Sequence, residues 1–156
     1  MSITLSTGDA APSLELLNQD GRPVSLADLL GQRVIVYFFP KAFTPGCTLE
    51  VCDFRDNKDA LSSAGYTVLG VSADPPEVLR DFVDTYTVNH DLLSDPDHHA
   101  AQRWGAWGDK VVNGVPKVGA LRSTFVIDAQ GRLESVQYNL DATDHVADLR
   151  TSLSNS

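Results

Sequence analysis

Residues 34–52 read VIVYFFPKAFTPGCTLEVC, an apolar run followed by a turn and then by a helix-start signal. The run from Val34 to Phe39 is continuous rather than alternating, which predicts a central strand buried on both faces. Thr44 is a favourable N-cap residue, and Pro45 suits the first position of a helix. The stretch therefore predicts a strand, a short loop and a helix, and both cysteines of the chain lie on that helix.

The predicted helix runs from Pro45 to about Ala64 and is followed by Gly65. At 100° per residue, four of its apolar positions lie within about 40° of one another and form a stripe that faces the core. The members of this stripe are Cys47, Val51, Phe54 and Leu61. Its first member lies on the first turn, so the helix presents a thiol at its own N-terminus.

The remainder of the chain alternates between predicted strands and helices. A strand over Tyr66–Val71 is followed by a helix from Pro76 and a short strand at Leu92-Leu93, which implies parallel pairing with right-handed crossovers. The other predicted elements are a strand over 13–17, a helical turn over 25–31, a helix from 95 towards 104, a long surface loop from Gly105 to Gly119, a hairpin of Thr124–Ile127 with Leu133–Tyr138, and a closing helix from Thr143 to about Leu153. The fold class is α/β, with a central mixed sheet flanked by helices.

The composition limits the architecture and the partners. With 156 residues and 42% hydrophobic composition, we expect one domain over 1–156. The net charge is −9 and no cluster of Lys or Arg is present, so we expect no nucleic-acid partner. Neither a signal-peptide pattern nor an apolar run of membrane-spanning length occurs, so we expect no membrane partner and a cytoplasmic location. In a reducing compartment two cysteines are catalytic or inert more often than a structural disulfide.

The position of Cys47 favours a reactive thiol. Free backbone N–H groups and the helix dipole stabilise a thiolate on the first turn. An ordinary cysteine with a pKa near 8.5 is roughly 3% thiolate at pH 7, so full deprotonation raises its rate by only about thirtyfold, or roughly 2 kcal/mol. Fast attack on a peroxide needs further groups that align the substrate and stabilise charge on the leaving oxygen. The hydroxyl of Thr44 and the permanent charge of Arg122, just before a buried strand, suit that task, and Pro40 would shield the thiolate.

The spacing Pro40-x-x-x-Thr44-x-x-Cys47 resembles the active-site motif of peroxiredoxins. Thr-Pro-Gly-Cys-Thr-x-Glu-x-Cys, with a second cysteine five residues after the first, is similar to the bacterioferritin comigratory protein, or peroxiredoxin Q, subfamily. The similarity extends from Gly8 to Asp128 and covers nearly the whole chain. Ala42-Phe43 departs from the usual pattern, and this pair is expected to influence which peroxide is preferred.

The resemblance implies a thioredoxin-like fold and a thiol-dependent peroxidase that reduces hydrogen peroxide and organic hydroperoxides. It implies an atypical 2-Cys enzyme in which Cys47 is peroxidatic and Cys52 resolves the sulfenic acid as an intramolecular disulfide, which thioredoxin or a similar dithiol donor reduces. It also implies that Pro40, Thr44 and Arg122 complete the peroxide site and that Glu50 supports the arginine. No cofactor or metal is expected, and the protein is expected to be a monomer or weak homodimer.

The spacing of the two cysteines predicts a conformational change. Residues five apart on an ideal helix have Cα atoms about 8.6 Å apart and point about 140° away from each other. A disulfide usually needs Cα atoms closer than about 7 Å. The first turns of the helix must therefore unwind before Cys52 can reach Cys47.

Other uses of the thiols fit the residues less well. A metal site would need ligands from the histidines, and adjacent His98 and His99 cannot both project from one helix face; we expect the four histidines to be solvated or capping. A copper chaperone would leave Thr44 and Arg122 without a role. A dithiol reductase normally uses Cys-x-x-Cys, which is absent. A non-enzymatic peroxide sensor, or a redox-partner binding module using the same thiol, remains the alternative function.

Overall fold

The computed structural model describes residues 5–112, 114–138, 140, 146 and 149. Nine strands and three α-helices occur in these ranges, with a short 3-10 helix over Leu26–Leu29. In chain order they are β1 (Glu15–Asn18), β2 (Pro23–Ser25), β3 (Arg33–Phe38), α1 (Pro45–Ser63), β4 (Tyr66–Ser72), α2 (Pro76–Tyr86), β5 (Asp91–Ser94), α3 (His99–Arg103), β6 (Trp107–Val112), β7 (Val115–Ala120), β8 (Ser123–Ile127) and β9 (Leu133–Gln137).

Seven strands form one mixed sheet in the order β2-β1-β5-β4-β3-β8-β9. Strand β3 pairs in parallel with β4 and antiparallel with β8. The register of β3 with β8 places Phe38 opposite Ser123. The end of β3 and the start of β8 therefore meet at one edge of the sheet, and this edge also carries the loop into α1.

Side chains of β3 fill the core on both faces of the sheet, as the continuous apolar run predicts. Ile35 and Tyr37 belong to the apolar cluster that includes the buried face of α1. Val36 and Phe38 belong to a second cluster on the opposite face, together with the fully buried Trp104. Alternation along an extended strand sends neighbouring residues to opposite faces, so one strand anchors both layers.

The cluster beneath α1 contains a buried aromatic and imidazole group. The rings of Tyr37 and Phe54 are stacked with centroids 4.2 Å apart, and the Tyr37 hydroxyl lies 2.5 Å from Nε2 of His90. A Cβ atom at Gly70 would lie only 2.7 Å from Tyr37 Cζ, so the ring uses the space that this glycine leaves. The expectation of solvated or capping histidines is wrong for His90, because it is 8% exposed, and burial lowers its pKa to about 3 with a contribution from Lys58.

The expectation of a surface loop over 105–119 is also wrong. Strands β6 and β7 pair antiparallel and form a separate two-stranded sheet. Gly114 has a positive φ of 78° at the turn between them, a conformation that glycine adopts at little cost. The glycines and Pro116 conceal this hairpin in the sequence because they are typical of loops, and Val111 and Val118 remain exposed.

Other predicted boundaries differ by a few residues. Strand β2 was not predicted, and α3 begins at His99 rather than near Asp95. The Asp95 carboxylate instead accepts hydrogen bonds from the backbone N–H groups of Ala100 and Ala101. The closing helix predicted over 143–153 lies outside the described residues, apart from 146 and 149. No helix in the described part of the chain has the length and apolar character needed to cross a membrane.

Candidate active site

The loop between β3 and α1 places Cys47 on the first turn of the helix. Thr44 occupies the N-cap with an extended backbone, and its carbonyl accepts the first intrahelical bond, from Thr48 N at 2.9 Å. The Thr44 hydroxyl does not cap the helix; it donates to the Lys41 carbonyl at 2.7 Å. Cys47 is 1% exposed. The thiol therefore lies at the positive end of the helix dipole and is largely screened from bulk water.

Two donors from different parts of the chain point at the sulfur of Cys47. Nη2 of Arg122 lies 3.4 Å from Sγ, and the backbone N–H of Lys41 lies 3.5 Å from it. Arg122 directly precedes β8, and the antiparallel pairing of β8 with β3 brings it to this edge of the sheet. Both donors stabilise negative charge on the sulfur.

Glu50 holds the other end of the Arg122 guanidinium. Nη1 of Arg122 lies 2.6 Å from Oε1 of Glu50, whose side chain is 0% exposed. Burial raises the pKa of Glu50 to about 7, although the charge of Arg122 acts to lower it. Burial acts to lower the pKa of Arg122, but Glu50 and the Cys47 thiolate outweigh it and raise that pKa overall. One planar guanidinium thus bridges a buried carboxylate and the sulfur.

Pro40 and Phe43 lie in the same loop on either side of Lys41. Pro40 is half-buried and is the second residue after the end of β3. Phe43 has a positive φ of 66°, which is uncommon for an aromatic residue, and its side chain is 46% exposed. Its ring packs against Phe82 at 4.9 Å and Tyr86 at 6.3 Å. The loop therefore places an apolar ring beside the N-cap of α1.

Two residues that border the site were missed from the sequence. The Asp74 carboxylate accepts hydrogen bonds from Ala42 N at 2.7 Å and Ser72 Oγ at 2.8 Å, which fixes the loop before Thr44. An acidic residue just after a predicted parallel strand is a signal that could have identified it. Lys110 on β6 donates to the Ala120 carbonyl at 2.8 Å, and burial lowers its pKa against the opposing charge of the Cys47 thiolate. Lys110 could not be identified from the sequence, because its strand lies in residues 105–119, which were predicted to form a surface loop.

Cys52 lies farther along the same helix and in different surroundings. It is half-buried, and both thiols are free. Burial raises the pKa of Cys52, and Asp56 and Asp53 add to that effect while Arg55 opposes it. Helix α1 is continuous from Pro45 to Ser63, so the two cysteines are five residues apart on one unbroken helix. Within the described ranges, no three His, Cys, Asp or Glu side chains gather in an arrangement that could hold a metal ion.

A mixed sheet with a buried thiol at the start of a helix, held between an arginine and a backbone N–H, defines a thioredoxin-fold protein equipped for thiol chemistry. Comparison with known families agrees, because the AhpC/TSA family model matches residues 7–136. The chain belongs to this family, the peroxiredoxins.

The relatives place the chain in one group of peroxiredoxins, the bacterioferritin comigratory protein (Bcp) group. The chain is 51% identical over 150 residues to a putative peroxiredoxin of Mycobacterium tuberculosis strain H37Rv, covering 96% of each chain. It is 47% identical over 141 residues to peroxiredoxin Bcp of Escherichia coli K12, covering 90% of each. A solved structure of the bacterioferritin comigratory protein of Xanthomonas campestris has a TM-score of 0.84 at 27% identity, covering 91% of this chain and 90% of that one. The protein is a thiol-dependent peroxidase that uses a peroxide and a thiol reductant.

Proposed function

We propose that the protein is a thioredoxin-dependent, atypical 2-Cys peroxidase that reduces hydrogen peroxide and organic hydroperoxides at Cys47. The observation that carries the proposal is the guanidinium of Arg122, which lies 3.4 Å from the Cys47 sulfur while bound to the buried Glu50. The two contacts fix the orientation of the guanidinium, so its positive charge lies where a peroxide would react. The alkyl peroxide reduction activity of the Xanthomonas campestris relative supports organic hydroperoxides as substrates.

In the first step the Cys47 thiolate attacks the terminal oxygen of the peroxide. An S–O bond forms to give the Cys47 sulfenic acid, the O–O bond breaks, and the departing alkoxide or hydroxide takes a proton from water to leave as alcohol or water. Arg122 stabilises the charge that develops on the departing oxygen, and Glu50 fixes the guanidinium. The Thr44 hydroxyl donates to the Lys41 carbonyl and keeps its lone pairs to accept a hydrogen bond from the peroxide. Pro40 shields the thiolate from bulk water.

In the second step Cys52 attacks the Cys47 sulfenic acid, forming the S–S bond and releasing water. The continuous helix separates the two Cα atoms by about 8.6 Å on ideal geometry, beyond the reach of a disulfide. The start of α1 therefore unwinds after the first step. A dithiol of the thioredoxin type then reduces the disulfide by thiol exchange and becomes oxidised itself.

Steady-state peroxide consumption tests the proposal. Purified protein is supplied with hydrogen peroxide, cumene hydroperoxide or tert-butyl hydroperoxide, with thioredoxin and thioredoxin reductase as the electron source. We expect turnover with all three peroxides and a much slower reaction when glutathione replaces thioredoxin. A single stoichiometric oxidation without turnover would instead identify a peroxide sensor or a redox-partner binding module.

We also propose that residues 1–156 act as one domain, as a monomer or weak homodimer, in the cytoplasm. A chain with two cysteines fits a reducing compartment, where structural disulfides are rare. Light scattering after size-exclusion chromatography, in the reduced and the oxidised protein, measures the oligomeric state. A stable assembly larger than a dimer would contradict this part of the proposal.

A further inference from the structure

The two halves of α1 are held by different kinds of contact. The first half is fixed by the buried side chain of Val51 and by polar contacts of Cys47 and Glu50 with Arg122. One polar contact involves the reacting sulfur, and the other shares the same guanidinium. Oxidation of the sulfur changes its charge and hydrogen bonding, so these polar contacts depend on the redox state.

Arg55 fixes the second half of the helix to a neighbouring element. Its Nη1 lies 2.6 Å from the carbonyl oxygen of Tyr86, the last residue of α2. The last carbonyls of a helix lack intrahelical partners, so this guanidinium satisfies one of them. In the opposite direction, Nδ2 of Asn89 donates to the Arg55 carbonyl at 3.1 Å. The backbone and side chain of Arg55 therefore both bind the segment that ends α2.

Phe54, the residue before Arg55, fixes the opposite face of the same helical turn. Phe54 is 0% exposed and stacks on Tyr37, with ring planes inclined by 15°. The Tyr37 hydroxyl in turn contacts His90 in the core. The turn at Phe54 and Arg55 is therefore held from the core side by stacking and from α2 by hydrogen bonds. None of these contacts involves the Cys47 sulfur.

We propose that Arg55 is a positioning residue for the resolving step, ending the unwinding of α1 just after Cys52. The inference rests on the proposed function, because it presumes the disulfide between Cys47 and Cys52. With the helix fixed from residue 54 onwards, only residues 45–53 open, and Cys52 stays on a short tether next to the sulfenic acid. A short mobile segment samples fewer positions than a long one, so this boundary keeps Cys52 near the sulfenic acid and speeds disulfide formation.

The charge of Arg55 assists the same step. Burial raises the pKa of Cys52, with Asp56 and Asp53 acting in the same direction, and Arg55 is the group that opposes them. The thiolate is the attacking form in disulfide exchange. A guanidinium held by the Tyr86 carbonyl stays close to Cys52 while the preceding residues unwind.

Hydrogen exchange of the oxidised protein, measured by mass spectrometry, locates the boundary of unwinding. In the wild type we expect loss of protection over 46–57, because the amides of 54–57 bond to the carbonyls of 50–53, and retained protection over 58–63. In Arg55→Ala we expect loss of protection to extend towards residue 63, and disulfide formation after a single equivalent of peroxide to slow by about tenfold. Arg55→Lys keeps one donor and the charge, and is expected to restore most of the rate. Arg80→Ala removes a surface arginine of α2 that pairs with Asp20 and Asp84, and should behave as wild type.

The intact mass separates failure of this inference from failure of the proposed function. A wild-type protein that forms no intramolecular disulfide, seen as no loss of two hydrogens, would contradict the proposed function. A disulfide that forms while protection is lost through residue 63 in the wild type would overturn the role of Arg55. Equal rates for the wild type, Arg55→Ala and Arg55→Lys would overturn it as well.

Discussion

The two cysteines share one helix, yet their surroundings differ in nearly every respect. Cys47 is 1% exposed and receives donors from Arg122 and the Lys41 backbone. Cys52 is half-buried, and burial together with nearby carboxylates raises its pKa. Both lie in the first half of α1, so the helix alone does not set their chemistry. The groups that other elements bring to the first turn prepare one thiol for attack, while the raised pKa of the second favours its protonated form.

Exchanging each thiol for a hydroxyl is the strongest test of this contrast. Cys47→Ser should lower the rate of peroxide consumption by about a thousandfold or more, because a hydroxyl is a far weaker nucleophile at neutral pH. Cys52→Ser should keep the first oxidation at nearly the wild-type rate and lose turnover with thioredoxin. Stopped-flow measurement of the first oxidation and steady-state turnover give the two quantities. Full turnover in Cys52→Ser would remove the resolving role of Cys52.

Removing the guanidinium beside Cys47 should make its surroundings more like those of Cys52. Arg122→Met is expected to lower kcat/KM for peroxide by about a hundredfold to a thousandfold, the cost of one donor to a developing negative charge. Arg122→Lys keeps the charge without the planar fork and should fall between that variant and the wild type. Arg103→Met, on α3, provides the control. An unchanged first oxidation in Arg122→Met would show that the arginine does not act on the reacting oxygen.

The buried Glu50 should make stability depend on pH. Because burial raises its folded-state pKa from 4.5 to about 7, the unfolded chain releases this proton at lower pH than the folded chain does. The contribution to stability is complete below about 4.5 and is lost as the pH rises to about 7, by up to about 3 kcal/mol. Glu50→Gln should remove this loss, whereas the matched Glu77→Gln in α2 should retain it. Urea unfolding between these pH values provides the measurement, and equal slopes for wild type and Glu50→Gln would contradict the expectation.

The smallest expected effect concerns the loop that carries the Lys41 donor. Asp74→Ala removes the acceptor for Ala42 N and should lower kcat/KM by about tenfold through displacement of the loop. The rate of the resolving step, followed after a single equivalent of peroxide, should change little because Asp74 bonds the segment before Thr44 rather than the turn that carries Cys52. Asp97→Ala, at an exposed position, is the control. A slower resolving step with an unchanged first oxidation would reverse the assignment of Asp74.

Much of the fold follows from local patterns in the sequence. The continuous apolar run gave β3 to within one residue, and Thr44, Pro45 and Gly65 bounded α1. The hairpin of β6 and β7 was missed because its two strands lie on the surface and have little apolar alternation to indicate a buried face. Turn-forming residues dominate the sequence of this segment and favour a loop prediction. The hairpin forms because its two strands pair with each other, which the sequence pattern does not show.

The site was predictable where residues lie close along the chain or match a motif. Arg122 was singled out by its place before a strand and by resemblance, but its distance from the sulfur depends on the pairing of β8 with β3, which spacing alone does not give. Asp74 and Arg55 reach other segments through backbone atoms, Ala42 N and the Tyr86 carbonyl, and a sequence pattern does not reveal such partners. The burial of His90 likewise depends on how α1 covers the sheet.

Gly70 sets a limit on how this protein can change by mutation. Any side chain at this position would collide with the ring and hydroxyl of Tyr37 and with Leu92, at 2.7 to 2.8 Å from a Cβ atom. Tyr37 supports Phe54, and Phe54 supports the turn of α1 that follows Cys52. Variant libraries aimed at substrate range are better directed at exposed positions such as Phe43 and Val118. Position 70, though remote from the peroxide, must stay fixed, since one added methyl group would be transmitted through two aromatic rings to the thiol-bearing helix.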